Sequence, residues 1–343
     1  MLEAALKFAP CQHRLSVHGH AVQIDCEVAA MNWPAHHALG EFATPDWPDG
    51  FTPVPGSIQP YDESVVMRHL SPDASAIATG DELTELYGHG ERFWLVDDRW
   101  GLCEINFLKG EWRSWIVPDA RLSGVAMTDS AILWPLAQLL QNKGLTLLPA
   151  VSISRGGFGA MIISPFGVEP ELSALIGSGW RIIGQRWTAL REDEGRIAML
   201  HMPGAVERSS GARQRNGSIE PVNGLIDLTA KNADANQHHA FCDAVIVVDA
   251  ARRGSVSVKP MKCSNVVANL RRAWPIFELR SQPRIEQMPA RLAAECSIYE
   301  AQFSRRADDF VMAMDQVSAS RIARPRRMQM QILPARLPRQ IPA

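Results

Sequence analysis

The residues best placed to do chemistry lie at 164–171: Ser164, Pro165, Phe166, Gly167, Val168, Glu169, Pro170 and Glu171. They follow an apolar, strand-like run ending in MII and precede the helix-like LSALIGS. A strand, a glycine-bearing turn and a helix form the geometry that cradles phosphates, because backbone N–H groups at the helix start point at the anion. The pattern G-x-x-x-x-G-K-[ST] supplies glycines for close approach, a lysine for the β- and γ-phosphates and a hydroxyl for Mg2+. Here only Gly167 suits such a role. Glu169 and Glu171 would add negative charge beside a triphosphate, so repulsion replaces attraction and nucleotide binding is disfavoured. Phosphoryl transfer depends on positioning and charge neutralisation, and this stretch lacks the lysine and the following hydroxyl that the pattern supplies for both. Pro170 and Glu171 suit an ordinary helix start, where proline is tolerated and a carboxylate favours the dipole.

Other chemistry-bearing clusters are weaker. Cys11, His13, His18, His20 and Cys26 are metal-capable, yet C-x-H-x4-H-x-H-x5-C matches no standard zinc spacing, and no metal is expected. His18 and His20 would share one strand face; the pairs His36-His37 and His238-His239 read as surface loops. No G-x-S-x-G elbow follows a strand, and Arg155-GGFG is a hairpin turn rather than a dinucleotide fingerprint. The six cysteines, Cys11, Cys26, Cys103, Cys242, Cys263 and Cys296, contain no C-x-x-C, and they read as reduced thiols of a cytoplasmic protein.

The elements that must position these residues follow from pattern. The chain has 343 residues, enough for two domains, and 46% hydrophobic content excludes a disordered or fibrous protein. A formal charge of -2 removes whole-molecule electrostatics as a reason to expect nucleic acid or acidic membranes. No apolar stretch reaches the length of a membrane span, and no signal peptide is read at the N-terminus. Residues 1–122 read as a small, mostly β domain, with Arg92-FWLVDD-Arg99, Trp100-Gly101 and then LCEINFL read as two strands joined by a tight turn. Its Trp94, Trp100, Trp112 and Trp115 are expected to pack in the core rather than bind a ligand.

From Thr128 the spacing turns helical, with Gly144 as the stop. Two β runs, 145–154 and 158–164, flank the Arg155-Gly156-Gly157 turn. Loop, short helix and the strand WRIIGQRWTAL then complete a βαβ unit. AVIVVD (244–249) has the continuous apolar character of a buried parallel strand. Residues 203–240 read as loops with isolated strands, and helices are expected around CSNVVANLRRAW and RADDFVMAMDQV. Residues 321–343 hold six arginines, four prolines and no acid, and read as a disordered, solvated basic tail.

With these pieces in order, the segment 144–190 resembles the core of the HPr kinase/phosphorylase-related P-loop family. GLTLLPA, the loop 164–171, LSALIGS and the Gly179-WRIIGQ run stand where that family has its strand, P-loop, helix and "G-W-R-L-L-S-D-D" segment. CSIYEAQFSRRADDFVMAMDQV (296–317) is similar to the family's closing strand and helix, and with AVIVVDAARRG the resemblance covers roughly residues 85–317. Carried over position by position, it implies that the family's phosphate-loop lysine falls on Pro170, its serine on Glu171 and its final glycine on Glu169. The strand histidine falls on Pro149, and the acidic pair serving Mg2+ and catalysis falls on Gly184 and Gln185.

The expectation is therefore an α/β fold: an HPr-kinase-like P-loop core over 123–320, preceded by the β domain and followed by the tail. The function expected is that of a pseudokinase with a degenerate P-loop, no catalytic residues and no cofactor, binding a protein or small peptide within a larger assembly. A homo-oligomer is compatible with the family; a membrane or nucleic-acid partner is not expected. The alternative is an active ATP- and Mg-dependent protein or peptide kinase using Lys143 or Arg155 as the phosphate cation. A third reading is an unrelated binding module whose basic tail meets nucleic acid.

Overall fold

The computed structural model describes residues 11–28, 31, 39–47, 50–79, 84–117, 127–164, 168–203, 206–207, 225–226, 237–250, 256–261, 283–302 and 306–322. These form a mixed α/β protein with several sheets and few helices.

Eight strands come first: β1 (Cys11–Val17), β2 (His20–Cys26), β3 (Val54–Pro60), β4 (Ser75–Thr79), β5 (Thr84–His89), β6 (Arg92–Asp97), β7 (Gly101–Asn106) and β8 (Glu111–Ile116). They make one sheet in the order β1-β2-β3-β8-β7-β6-β5-β4. His18 and Gly19, both at positive φ (49° and 87°), close the β1–β2 hairpin as a two-residue turn whose twist matches the strands. Trp94, Trp100, Trp112 and Trp115 are all buried, as expected of core residues. Trp112 lies flat over Gly56, where a Cβ would meet its ring at 2.1 Å. A short helix, α1 (Glu63–His69), is capped by Asp62, which accepts from the Ser64 N–H at 2.9 Å, and it places Val66 against Trp94, Leu102 and Trp115.

A π-turn over Asp129–Leu133 leads into α2 (Trp134–Gln141), and Gly144 at φ 86° ends the helical stretch. Leu136, Leu139 and Leu140 join one apolar cluster with Leu15, Ile24 and Trp112 on one side and Leu147, Ala189 and Leu200 on the other.

The following segments do not run as single strands. The 145–154 run breaks at Pro149 into β9 (Thr146–Leu148) and β10 (Val151–Arg155), which belong to different sheets. WRIIGQRWTAL likewise divides into β12 (Arg181–Gly184) and β13 (Thr188–Asp193), correcting the single strand expected there. Between them lie β11 (Phe158–Ile163) and α3 (Glu169–Gly177). Proline donates no ladder hydrogen bond, which accounts for the first break. At the second the backbone folds tightly: a Cβ on Gly184 would meet the Trp187 carbonyl oxygen at 2.2 Å. Asp129 holds that corner, ion-paired with Arg186 and accepting from Trp187 Nε1 at 2.9 Å.

The remaining elements are β14 (Arg196–Leu200), β15 (Val206–Glu207), β16 (Leu225–Ile226), β17 (His239–Phe241), β18 (Ala244–Ala250), β19 (Ser257–Pro260), α4 (Pro283–Glu295), β20 (Ser297–Gln302) and α5 (Ala307–Ile322). A six-stranded sheet runs β12-β10-β11-β18-β20-β19 and a four-stranded sheet β17-β14-β13-β9; β15 and β16 pair with each other.

The β10–β11 hairpin turns at Gly156-Gly157, both at positive φ, as the turn chemistry predicts. β18 pairs parallel with both β11 and β20, as expected of its apolar run. Side chains alternate across this sheet: Ala160, Ile162, Ile246 and Val248 meet α3 and α5 through Leu172, Leu175, Phe310 and Met314. Met161, Ile163, Val245 and Val247 meet Leu190, Ile197 and Met199 of the four-stranded sheet and Leu292 of α4. The strand–helix–strand order at β11, α3 and β12 is present, but β10 lies antiparallel between the two strands, so they do not pair directly. The helix expected around 263–274 and residues 323–343 of the tail lie outside the described residues. No described helix is long and apolar enough to cross a membrane.

Candidate functional site

Register gathers the positions singled out in the sequence at one end of the six-stranded sheet. Ile163, the last residue of β11, pairs with Val247; its neighbour Ile162 pairs with Val151, and Ser152 pairs with Gly184. The end of β11, the start of β10 and the end of β12 are thus side by side, with α3 beginning five residues after Ser164. In open α/β sheets this end, beyond the carboxyl termini of parallel strands, is where ligands bind.

The chemistry present there is sparse. Ser164 and Pro149 are half-buried, and Gly184 and Gln185 are buried. Gly167 and the side chain of Glu169 lie outside the described residues. α3 starts from Val168, which gives no side-chain cap, with Pro170 in its first turn. Glu171 is 2% exposed and sits beside Leu172, which is fully buried. Glu171 is therefore turned inward, and its carboxylate lies near the positive end of the helix, where an incoming anion would have to sit. From 156 to 180 the sequence contains no Lys, Arg or His. Gly184 cannot stand in for an acidic ligand by substitution, because its Cβ position is filled by the Trp187 carbonyl and, at 3.1 Å, by Ser152 Oγ.

One acidic residue at this end was not singled out in the sequence. Asp249 is the first charged residue after the apolar 244–248 run, and the β18–β20 register slips between Val248 and Ala250, so it occupies a bulge beyond Val247. The signal was the run's end itself, the first charge after a buried parallel strand.

The cations considered as substitutes lie elsewhere. Arg155 belongs to the β10–β11 hairpin, at the opposite end of β11 and about 20 Å along the strand from Ser164. It donates to Asp315 Oδ1 at 2.5 Å and lies over the Trp180 ring, 5.9 Å from its centroid. Lys143 is exposed and precedes β9 at the end remote from Pro149.

The cysteine–histidine constellation is split in two. Cys11, His13 and Cys26 lie at the open end of the first hairpin, whereas His18 and His20 lie at its turn. His18 Nε2 is 2.7 Å from the His201 carbonyl oxygen. Burial, with repulsion from Arg191, His201 and His20, pulls its pKa down to about 4 although the carbonyl bond opposes this; burial, Lys143 and Arg191 lower that of His20. No group of three or more His, Cys, Asp or Glu side chains among the described residues is arranged to hold a metal ion. His238 and His239 are exposed, but only His238 lies outside a strand: His239 opens β17, paired with Leu200, which corrects the loop expected for it, and the His238 ring is 6.0 Å from that of His201. His36 and His37 lie outside the described residues.

No family model matches the chain, and no curated protein matches it. Among solved structures it is similar to the Hpr(Ser) kinase/phosphatase from Coxiella burnetii, with 10% identity and a TM-score of 0.29. The match covers 51% of this chain and 93% of that one. The similarity is weak.

Proposed function

We propose that this chain is a catalytically inactive, HPr-kinase-like protein, a pseudokinase that serves as a protein- or peptide-binding component of a larger assembly. The observation that carries the proposal is Glu171, a carboxylate 2% exposed in the first turn of α3, where a phosphate loop needs a hydroxyl. A buried carboxylate at this helix start occupies the field that would attract a phosphate. The cation-free stretch from 156 to 180 leaves nothing nearby to neutralise a triphosphate.

An active kinase draws less support from the geometry. Arg155 is engaged with Asp315 at the far end of its strand, and Lys143 lies in a different part of the fold. With phosphoryl transfer gone, the sheet and helices still present surface, and the N-terminal β sheet, the 203–240 segment and the Arg-rich tail are the proposed contact regions.

A thermal-shift titration with Mg-ATP on the full chain, run beside an intact P-loop kinase, tests the proposal. Ligand at a hundred times Kd would stabilise by about 2.7 kcal/mol. No shift at millimolar Mg-ATP is expected; a saturable rise in Tm would favour the kinase reading.

A further inference from the structure

Cys11 and Cys26 face each other across the open end of the β1–β2 hairpin. Pairing counted outward from Val17 and His20 brings them into direct opposition, on the same face of the sheet. Directly opposed residues of antiparallel strands have Cα atoms about 4.5–5.5 Å apart, within the roughly 4.4–6.8 Å that a disulfide spans. Both stand as thiols within hydrogen-bonding reach of each other. Cys11 Sγ lies 3.1 Å from His13 Nε2. Among the described cysteines Cys11 alone is partly exposed; Cys26, Cys103, Cys242 and Cys296 are buried. An entering reagent therefore meets Cys11 first, with a base beside it and a second thiol behind it.

We propose that Cys11 and Cys26 form a redox site that takes a low-molecular-weight disulfide as its oxidant and closes into a cross-strand disulfide, with His13 as the local base. His13 Nε2 accepts the Cys11 proton, and the thiolate attacks one sulfur of the oxidant. A bond forms between Cys11 Sγ and that sulfur, the oxidant's S–S bond breaks, and the departing thiolate takes the proton back from His13. Cys26, its proton passed to His13 in turn, attacks Cys11 Sγ and expels the second small thiol, which leaves protonated. Two electrons pass from the protein dithiol to the oxidant, and two small thiols are released.

The environment sets the character of the site. Burial raises both thiols, Cys26 to about 11, outweighing the bond from Cys26 that lowers Cys11. Thiols of high pKa attack slowly at neutral pH and are poor leaving groups once joined. The bond is accordingly slow to form and hard to reduce, a staple on the outer hairpin rather than a shuttle.

The test is incubation of the full chain with oxidised glutathione at mildly alkaline pH, followed by alkylation in denaturant and peptide mapping by mass spectrometry. The expected product is a Cys11–Cys26 linkage, lighter by two hydrogens, with Cys103, Cys242 and Cys296 still alkylated. His13→Ala should give the same product several-fold more slowly at neutral pH, with the difference shrinking as pH rises. Cys26→Ser should stop at a glutathione adduct on Cys11. A wild-type chain that ends as a lasting glutathione adduct, that links only in denaturant, or whose Cys11 and Cys26 both remain alkylatable would overturn the site. Equal closure rates for His13→Ala and wild type at every pH would remove the base.

Discussion

His201 Nε2 lies 2.9 Å from Glu41 Oε2, and the other ring nitrogen of His201 lies 2.7 Å from the Ile183 carbonyl oxygen. One imidazole thus ties the 3-10 turn at Gly40–Phe42, which bridges to β1 through Ala43, to the end of β12. Both ring nitrogens face oxygen, so both bonds form together only when the ring carries two protons. Glu41 is more than half exposed and water screens the pair, so its worth is modest. Glu41→Ala is expected to lower stability by about 1 kcal/mol in urea unfolding at low salt, and Glu41→Gln by less. The loss should shrink at high ionic strength. Equal stability of wild type and Glu41→Ala at low salt would show that the contact contributes nothing.

Acid should weaken the fold through His18. Burial, joined by the nearby Arg191, His201 and His20, places its folded pKa at about 4, against 6.5 for the free side chain. Between these values the unfolded chain binds the proton and the folded chain does not, so stability falls as pH drops from about 6.5 to about 4 and levels off below. The full loss is up to about 3 kcal/mol from this residue. Asparagine tolerates the left-handed backbone at position 18, where φ is 49°, and cannot titrate. His18→Asn should therefore show a shallower decline in urea midpoint between about pH 7 and pH 4. Parallel declines for the two proteins would refute this account.

Much of the fold could be read from local rules. Gly156-Gly157 specified a hairpin because few other residues accept positive φ twice, and the 244–248 run specified a buried strand because no polar side chain interrupts it. A helix was expected around RADDFVMAMDQV, and it is there, but it runs on to Ile322, two residues into the stretch read as disordered tail. Where the sequence left no trace was in the assignment of strands to sheets. The 145–154 and 180–190 runs look continuous, yet each crosses from one sheet to the other: the first at Pro149, a local signal that was not used, and the second at Gly184–Trp187, where the corner meets Ser152 and Asp129 from far away in the chain. The loop 164–171 was legible as lacking its cation, but the depth of Glu171 depends on how α3 packs. The Cys11–Cys26 opposition was present in the sequence all along: counting outward from the His18-Gly19 turn pairs the two residues. It needed only that turn to be recognised as a hairpin.

Gly184 offers a sharper test of the corner between the two sheets. A methyl group there would press on the Trp187 carbonyl oxygen at 2.2 Å, a backbone atom that cannot rotate away. Gly184→Ala should cost about 2 kcal/mol or more, beyond the usual range for a surface glycine. Gly177 is the control, since nothing lies within 4 Å of its Cβ position and it sits in the last turn of α3. Gly177→Ala should be neutral or slightly stabilising, by up to about 1 kcal/mol. Equal effects of the two substitutions in denaturant unfolding would mean the corner can relax.

Position 171 separates a retired phosphate loop from a rearranged one. Glu171→Lys places an ammonium group where exposure is 2%. The buried charge should cost about 3 kcal/mol or more, whereas Glu171→Gln, which keeps shape and most hydrogen-bonding capacity, should cost about 1 kcal/mol. Neither variant should acquire a Mg-ATP-dependent rise in Tm, because a lysine inserted there enters the core instead of the mouth of the sheet. Were Glu171→Lys to remain as stable as wild type and to bind nucleotide saturably, the first turn of α3 would have to open outward, and the reading of a retired phosphate loop would fail.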